Sequence, residues 1–166
     1  MNPQKIMLSD THFLQAIRDV PLVCIDFVIL NSEDEILVGK RKNKPARGIF
    51  FAPGGRIRKN ELHPDAIKRL SVAELGIELS LDKLLFLGHY DHIYASENFF
   101  GATGIGTHCF TCVYVLRLKT TPDLTQQHSD CRWVSIFDAA TDLSIHPYTR
   151  QYAKDLIQRP LVIPYY

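Results

Sequence analysis

Residues 55–77 read GRIRKNELHPDAIKRLSVAELGI. Pro64 suits the first position of a helix, where a missing N–H costs nothing and φ is already preset. Gly76 suits the stop, where the chain turns left-handed. The spacing between them predicts a helix over 64–75. Immediately upstream, 49–57 reads IFFAPGGRI. A short apolar strand there runs into Pro53-Gly54-Gly55, which breaks regular structure and allows close backbone approach to a ligand.

The flanks supply the frame. Ser9 and Asp10 can cap a helix whose apolar residues Phe13, Ala16, Ile17 and Val20 follow helical spacing, ended by Pro21. Residues 22–30 (LVCIDFVIL) read as a buried strand, 31–34 as a turn and 35–40 as the returning strand. Residues 42–48 are basic and irregular. Two long strands are expected over 84–94 and 108–118, joined by the loop SENFFGATGIG (96–106), which reads as mobile. A polar loop (120–130), a short strand (132–135) and a helix from about 149 to 158 complete the chain. Hairpins with segregated helices predict an α+β fold.

The chain has 166 residues, 46% of them hydrophobic and 22% charged, which suits one domain (1–166) with a real core. Lys+Arg 19 against Asp+Glu 18 leaves a net charge of +1, which argues against a polyanion or membrane binder. No apolar run approaches the roughly 20 residues of a spanning helix. The N-terminal MNPQKIMLSD lacks a signal-peptide core, and four cysteines are too few for a disulfide scaffold. A cytoplasmic location is the expectation.

Chemistry concentrates in the opening stretch. Gly55 is followed by five residues and Glu61, then by seven residues and Arg69, with Glu74, Gly76 and Ile77 beyond. This pattern resembles the signature of the Nudix hydrolases. The resemblance implies an α/β/α sandwich with a mixed β-sheet, a loop-helix-loop catalytic motif, and hydrolysis of nucleoside diphosphates linked to another group. Two departures matter. Leu70 and Ala73 stand where the family pattern carries carboxylates, leaving Glu74. On a helix, 70, 73 and 74 share one face, so these losses fall on the metal-binding side. The altered box, residues 69–76, is similar to the GDP-mannose mannosyl hydrolase branch. That likeness extends to Asp26-Phe27, Gly39-Lys40-Arg41, Glu97-Asn98-Phe99, Thr107-His108 and Gln127-His128 before Arg132-Trp133.

By this resemblance, water attacks C1 of the sugar, the configuration inverts and GDP leaves, following the logic of inverting glycoside hydrolysis. One Mg²⁺, which Mn²⁺ can replace, is held by the Gly54 carbonyl, the Glu74 carboxylate and the Gln127 amide oxygen, all hard donors. His128 is the general base, since imidazole titrates near neutrality. Arg41 and Arg56 hold the departing diphosphate through planar guanidinium forks. Asp26 contacts a sugar hydroxyl, and His92 lines the sugar or diphosphate side. Glu61 and Arg69 brace the motif. The partner is GDP-mannose or a related GDP-hexose such as GDP-glucose, and the assembly implied is a homodimer.

Cys109 stands where the branch has a tyrosine near the phosphates: either Tyr90, Tyr94 or Tyr114 substitutes, or the substrate contact is altered. Cys109 and Cys112 have zinc-like spacing but fall three apart in a strand, on opposite faces. Two other functions fit the same fold. One is a conventional Nudix pyrophosphohydrolase releasing GMP and a sugar phosphate. The other is a non-catalytic nucleotide-sugar-binding module.

Overall fold

A computed structural model describes residues 8–124, 126–159, 161–163, 165 and 166. Helix α1 (Asp10–Asp19) starts at Ser9, whose side chain accepts from the His12 N–H, and stops before Pro21. Strand β1 (Leu22–Leu30) turns into β2 (Glu35–Arg41). Two short strands follow, β3 (Phe50–Phe51) and β4 (Gly54–Arg56). Helix α2 (His63–Leu75) ends at Gly76 with φ 67°, as a left-handed stop requires. Long strands β5 (Leu85–Tyr94) and β6 (Thr107–Arg117) precede β7 (His128–Ser135), the short α3 (Ile136–Ala139) and α4 (Pro147–Gln158).

The strands form one mixed sheet, ordered β3-β2-β1-β6-β5, with β4 added to β1 and β7 to β2. β1 runs parallel to β6 over the whole length of β1, while the other pairs are antiparallel. β1 and β2 pair only at Leu30 and Ile36 beside their turn. Beyond that point they part: β1 takes β4 along Cys24–Asp26, and β2 takes β7 and β3. This splay opens the sheet at the end where the Pro-Gly-Gly turn arrives.

β1 is buried on both faces, which explains its unbroken apolar run. Ile25, Phe27 and Ile29 pack with Ala66, Ile67 and Leu70 of α2. Val28 and Leu30 pack with Ala139 and Ala140 next to α3 and with Tyr152, Ala153 and Leu156 of α4. Helices therefore cover both faces, giving the α/β/α arrangement.

Three expectations need correcting. Pro53-Gly54-Gly55 does not break regular structure outright, because Gly54 and Gly55 pair with Asp26 and Ile25. Glycine is required there: a Cβ on Gly54 would collide with the Ile25 carbonyl and Asp26 Oδ1. The 96–106 loop is tied down rather than open. Asn98 is fully buried, donates to the carbonyls of Ala102 and Ile105, and accepts from the N–H groups of Phe100 and Ala102. Composition showed the glycines but not this internal Asn scaffold. Finally, β7 begins at His128, not Arg132, because β2 offers an unpaired edge down to Arg41.

Candidate active site

The splay between β1 and β2 opens into a cavity of about 590 Å³. β1 contributes Asp26, β2 contributes Arg41, and β4 contributes Gly54 and Arg56. Glu74 arrives from α2, His92 from β5, and Gln127 from the loop before β7. Of the residues expected to catalyse, bind substrate or hold metal, Asp26, Arg41, Gly54, Arg56, Glu74, His92 and Gln127 line this space, and His128 does not. Segments scattered through the chain meet here because the sheet order brings β1, β4 and β6 side by side.

The motif is braced as its pattern implied. Arg69 Nε and Nη2 donate to the two Glu61 carboxylate oxygens at 2.6 and 2.8 Å. Arg69 Nη2 also donates to the Arg56 carbonyl at 3.0 Å, and the Arg58 N–H donates to Glu61 at 2.9 Å. The loop is thereby bolted to the helix and β4 is held in place. Leu70 is buried in the α2-side core and sits directly under Gly55, where a Cβ would come within 2.7 Å of its Cδ2. An apolar contact fills the place of the usual carboxylate.

Glu74 is buried, and among the described residues no hydrogen bond or ion pair engages its carboxylate. Burial pushes its pKa up to about 7, raised further by Asp26 and opposed by Arg41 and Arg69. Asp26 is likewise pushed up to about 7 by burial, against the pull of a Tyr152 hydrogen bond and of Arg41. Its Oδ1 lies against Gly54. The fold thus brings a second carboxylate from β1 to the side where the helix lost two. A bare buried carboxylate, a glycine that admits no side chain and an amide oxygen form an all-oxygen set. That set fits a hard divalent cation. Gln127 Oε1 accepts from Asn43 at 3.1 Å, which fixes the amide and leaves a second lone pair.

Arg41 is anchored by Nε, which donates to the Pro45 carbonyl at 2.9 Å, and lies over the Phe51 ring at 5.4 Å. Its terminal nitrogens have no protein partner among the described residues. Arg56 stacks on Phe13 of α1 at 4.1 Å, and burial lowers its pKa. Phe13 in turn packs on Phe99 and Phe100 of the 96–106 loop. These aromatic residues wall the cavity beside the second arginine.

His92 is buried and both of its ring nitrogens are engaged, Nε2 with Tyr152 at 2.6 Å and Nδ1 with Thr111 at 3.3 Å. It offers the cavity ring carbon rather than a free nitrogen. His128 pairs with Arg41 across β2 and β7, and its imidazole packs on Gly39. Its Nδ1 is buried with no hydrogen-bond partner among the described residues. Burial lowers its pKa to about 4, with Arg41 adding to the effect and the Leu124 carbonyl opposing it. Of the three candidate tyrosines, Tyr94 lines the cavity. Tyr90 donates to Asp155, and Tyr114 pairs with His63 on the α2 side. Cys109 lines the cavity while Cys112 packs in the α2-side core, as strand alternation requires.

Sequence reasoning missed Tyr152, Thr111 and Phe13. Tyr152 and Phe13 occupy ordinary apolar helix positions and Thr111 an ordinary strand position. Nothing in their local patterns ties them to residues across the sheet.

Residues 21–156 match the NUDIX domain family. The chain is 31% identical over 146 residues to the low-salt glycan biosynthesis protein Agl8 of Haloferax volcanii, covering 87% of this chain and 88% of that one. A MutT NUDIX hydrolase from Burkholderia pseudomallei superposes with TM-score 0.67 at 26% identity, over 83% of this chain and 99% of that one. The MutT protein of Methanosarcina mazei does so with TM-score 0.67 at 16% identity, over 84% and 96%. With the braced motif in place and the family match spanning most of the chain, this protein belongs to the NUDIX hydrolases.

Proposed function

We infer that this chain hydrolyses GDP-mannose, with GDP-glucose as a second substrate, to GDP and the free sugar. Water attacks C1 and the anomeric configuration inverts. The observation that carries the reading is the content of the cavity: three arginines (Arg41, Arg56 and Arg58), the Glu74 carboxylate from the helix and the buried Asp26, with Leu70 packed where a phosphorus-directed enzyme would bind further metal. The name of the Haloferax relative places that protein in glycan biosynthesis, a process that consumes activated sugars.

In this reading Gly54, Glu74 and Gln127 hold Mg²⁺, or Mn²⁺ in its place. A bound divalent ion supplies Lewis-acid neutralisation of a diphosphate leaving group. Arg41 and Arg56 face the same diphosphate, and their guanidinium groups stabilise the charge that grows as the bond to C1 breaks. The diphosphate leaves as a stable anion, so no general acid is required. His128 takes the proton of the attacking water. Its Nδ1, without a partner among the described residues, supports that part, as does its place next to Gln127 in the chain. Tyr94 supplies the phenol that Cys109 cannot. The protein acts as a cytoplasmic homodimer on GDP-hexoses. No helix among the described residues is long and apolar enough to cross a membrane.

Turnover of GDP-mannose in ¹⁸O-water with Mg²⁺ tests the proposal. The expected products are GDP and mannose labelled at C1. GMP with mannose 1-phosphate would show phosphorus attack instead, and tight binding without turnover would show a binding module.

A further inference from the structure

Tyr152 is fully buried in α4, on the helix face shared with Thr149, Ala153 and Leu156. Its hydroxyl donates to Asp26 Oδ2 at 2.8 Å and lies 2.6 Å from His92 Nε2. A phenol has one proton, and a carboxylate can only accept. With that proton spent on Asp26, the contact with His92 requires Nε2–H to donate to the phenol oxygen. The imidazole then has a lone pair on Nδ1, which meets the Thr111 hydroxyl at 3.3 Å. Tyr148 stacks flat on the ring, 4.1 Å away and 5° from parallel, which fixes its plane. Thr111, His92, Tyr152 and Asp26 therefore form one directed chain of hydrogen bonds, all four residues buried. It ends at Asp26, whose other oxygen lies against Gly54 in the cavity wall.

We propose that Tyr152 is a positioning residue that clamps Asp26 through Oδ2, so that Oδ1 is held in the cavity wall to meet a ligand hydroxyl. Tyr152 is saturated by its two partners and acts only through Asp26. The inference rests on the nucleotide-sugar reading of the cavity, and it deepens that reading by naming the residue that holds Asp26 in place. The Nε2–H tautomer of His92 is the signature of the chain. Burial keeps the ring neutral by lowering its pKa to about 3.

The test combines kinetics with ¹⁵N NMR of the histidine rings. Tyr152→Phe is expected to lower kcat/KM for GDP-mannose roughly 10–100-fold, the scale of a lost hydrogen bond to a charged group. The inhibition constant of GDP, which has no hexose, should change less than about 2-fold. In an Asp26→Asn background, the same substitution should cost less than about 3-fold, because the two residues act as one unit. Equal losses in both backgrounds, or a parallel fall in GDP affinity, would reduce Tyr152 to a packing residue and overturn the proposal. In the unsubstituted protein, His92 should show protonated Nε2 and bare Nδ1, and the Nδ1–H form would refute the chain. That spectrum needs no variant and no turnover. Failure to hydrolyse GDP-mannose would sink the hydrolase reading, and the tautomer would still decide the chain.

Discussion

Glu61 and Glu74 belong to the same motif and end in opposite states. Both oxygens of Glu61 are taken up by Arg69 and the Arg58 N–H, and the Arg69 hydrogen bonds hold its pKa below the usual range. Glu74 is buried with no hydrogen bond among the described residues, and burial lifts its pKa to about 7. A saturated acid is a brace, and its charge is satisfied within the fold. An unsatisfied buried acid costs stability and persists where a ligand supplies the missing partner. The same contrast separates Arg69, whose Nε and Nη2 are committed to Glu61 and the Arg56 carbonyl, from Arg41, which among the described residues is anchored through Nε alone.

The contrast is most sharply tested where the site is least satisfied. His128→Gln should lower kcat by ~10²–10⁴-fold, the usual size of a lost general base. Its melting temperature should hold, since an orphaned Nδ1 contributes no bond to lose. Glu74→Gln should lower Mg²⁺-dependent turnover by more than ~100-fold, beyond what a supporting residue around a metal costs. Thermal melting of that variant without metal should be unchanged or higher, because a partnerless buried carboxylate has gone. A clear fall in its melting temperature would show that Glu74 is structural after all.

The braced acid predicts the reverse pattern. Arg69→Gln should cost about 2 kcal/mol in urea unfolding, because it strips charged hydrogen bonds from Glu61. Activity should fall as a consequence of β4 losing its anchor. An undisturbed unfolding curve would remove the brace.

The smallest effect is one of pH. Asp26 and Glu74 have folded pKa values of about 7, above their ordinary values of 3.8 and 4.5. A raised pKa means the folded state holds the proton more tightly. The stability these groups contribute is full below their ordinary pKa and is lost as pH rises through 7. His92, His128 and His146 run the other way. Their pKa values are lowered to about 3, 4 and 4, so stability falls as pH drops from 6.5 toward those values. A cation must displace the carboxylate proton to bind. The rise in melting temperature caused by Mg²⁺ should therefore be larger at about pH 8 than at about pH 5.5. An equal rise at both would place the metal away from these acids.

Much of this molecule was readable before any coordinates. The Gly76 stop, the Glu61 to Arg69 spacing and the unbroken run of β1 rest on local chemistry, and the structure places each where the pattern pointed, while α2 starts one residue before Pro64, at His63. The boundaries of β7 and the internal bracing of the 96–106 loop were not readable. Strand length depends on what edge a neighbour offers, and the loop depends on Asn98 finding four backbone groups that surround it only when folded. The site divides along the same line. Arg41, Arg56, Glu74 and Gln127 could be named from their motifs. Tyr152 could not, because it is one aromatic residue in a helix until the sheet carries Asp26 beneath it.

The sequence by itself determined the loop-helix-loop, its internal salt bridge and the loss of acids at positions 70 and 73. These features are set by residues a few positions apart, where spacing translates directly into geometry. The tertiary structure decided what compensates for the loss. It splayed β1 from β2, brought the Asp26 carboxylate to the side facing Glu74 and packed Leu70 beneath Gly55. Those are contacts between elements far apart in the chain, and only the closing of the sheet defines the distance between them.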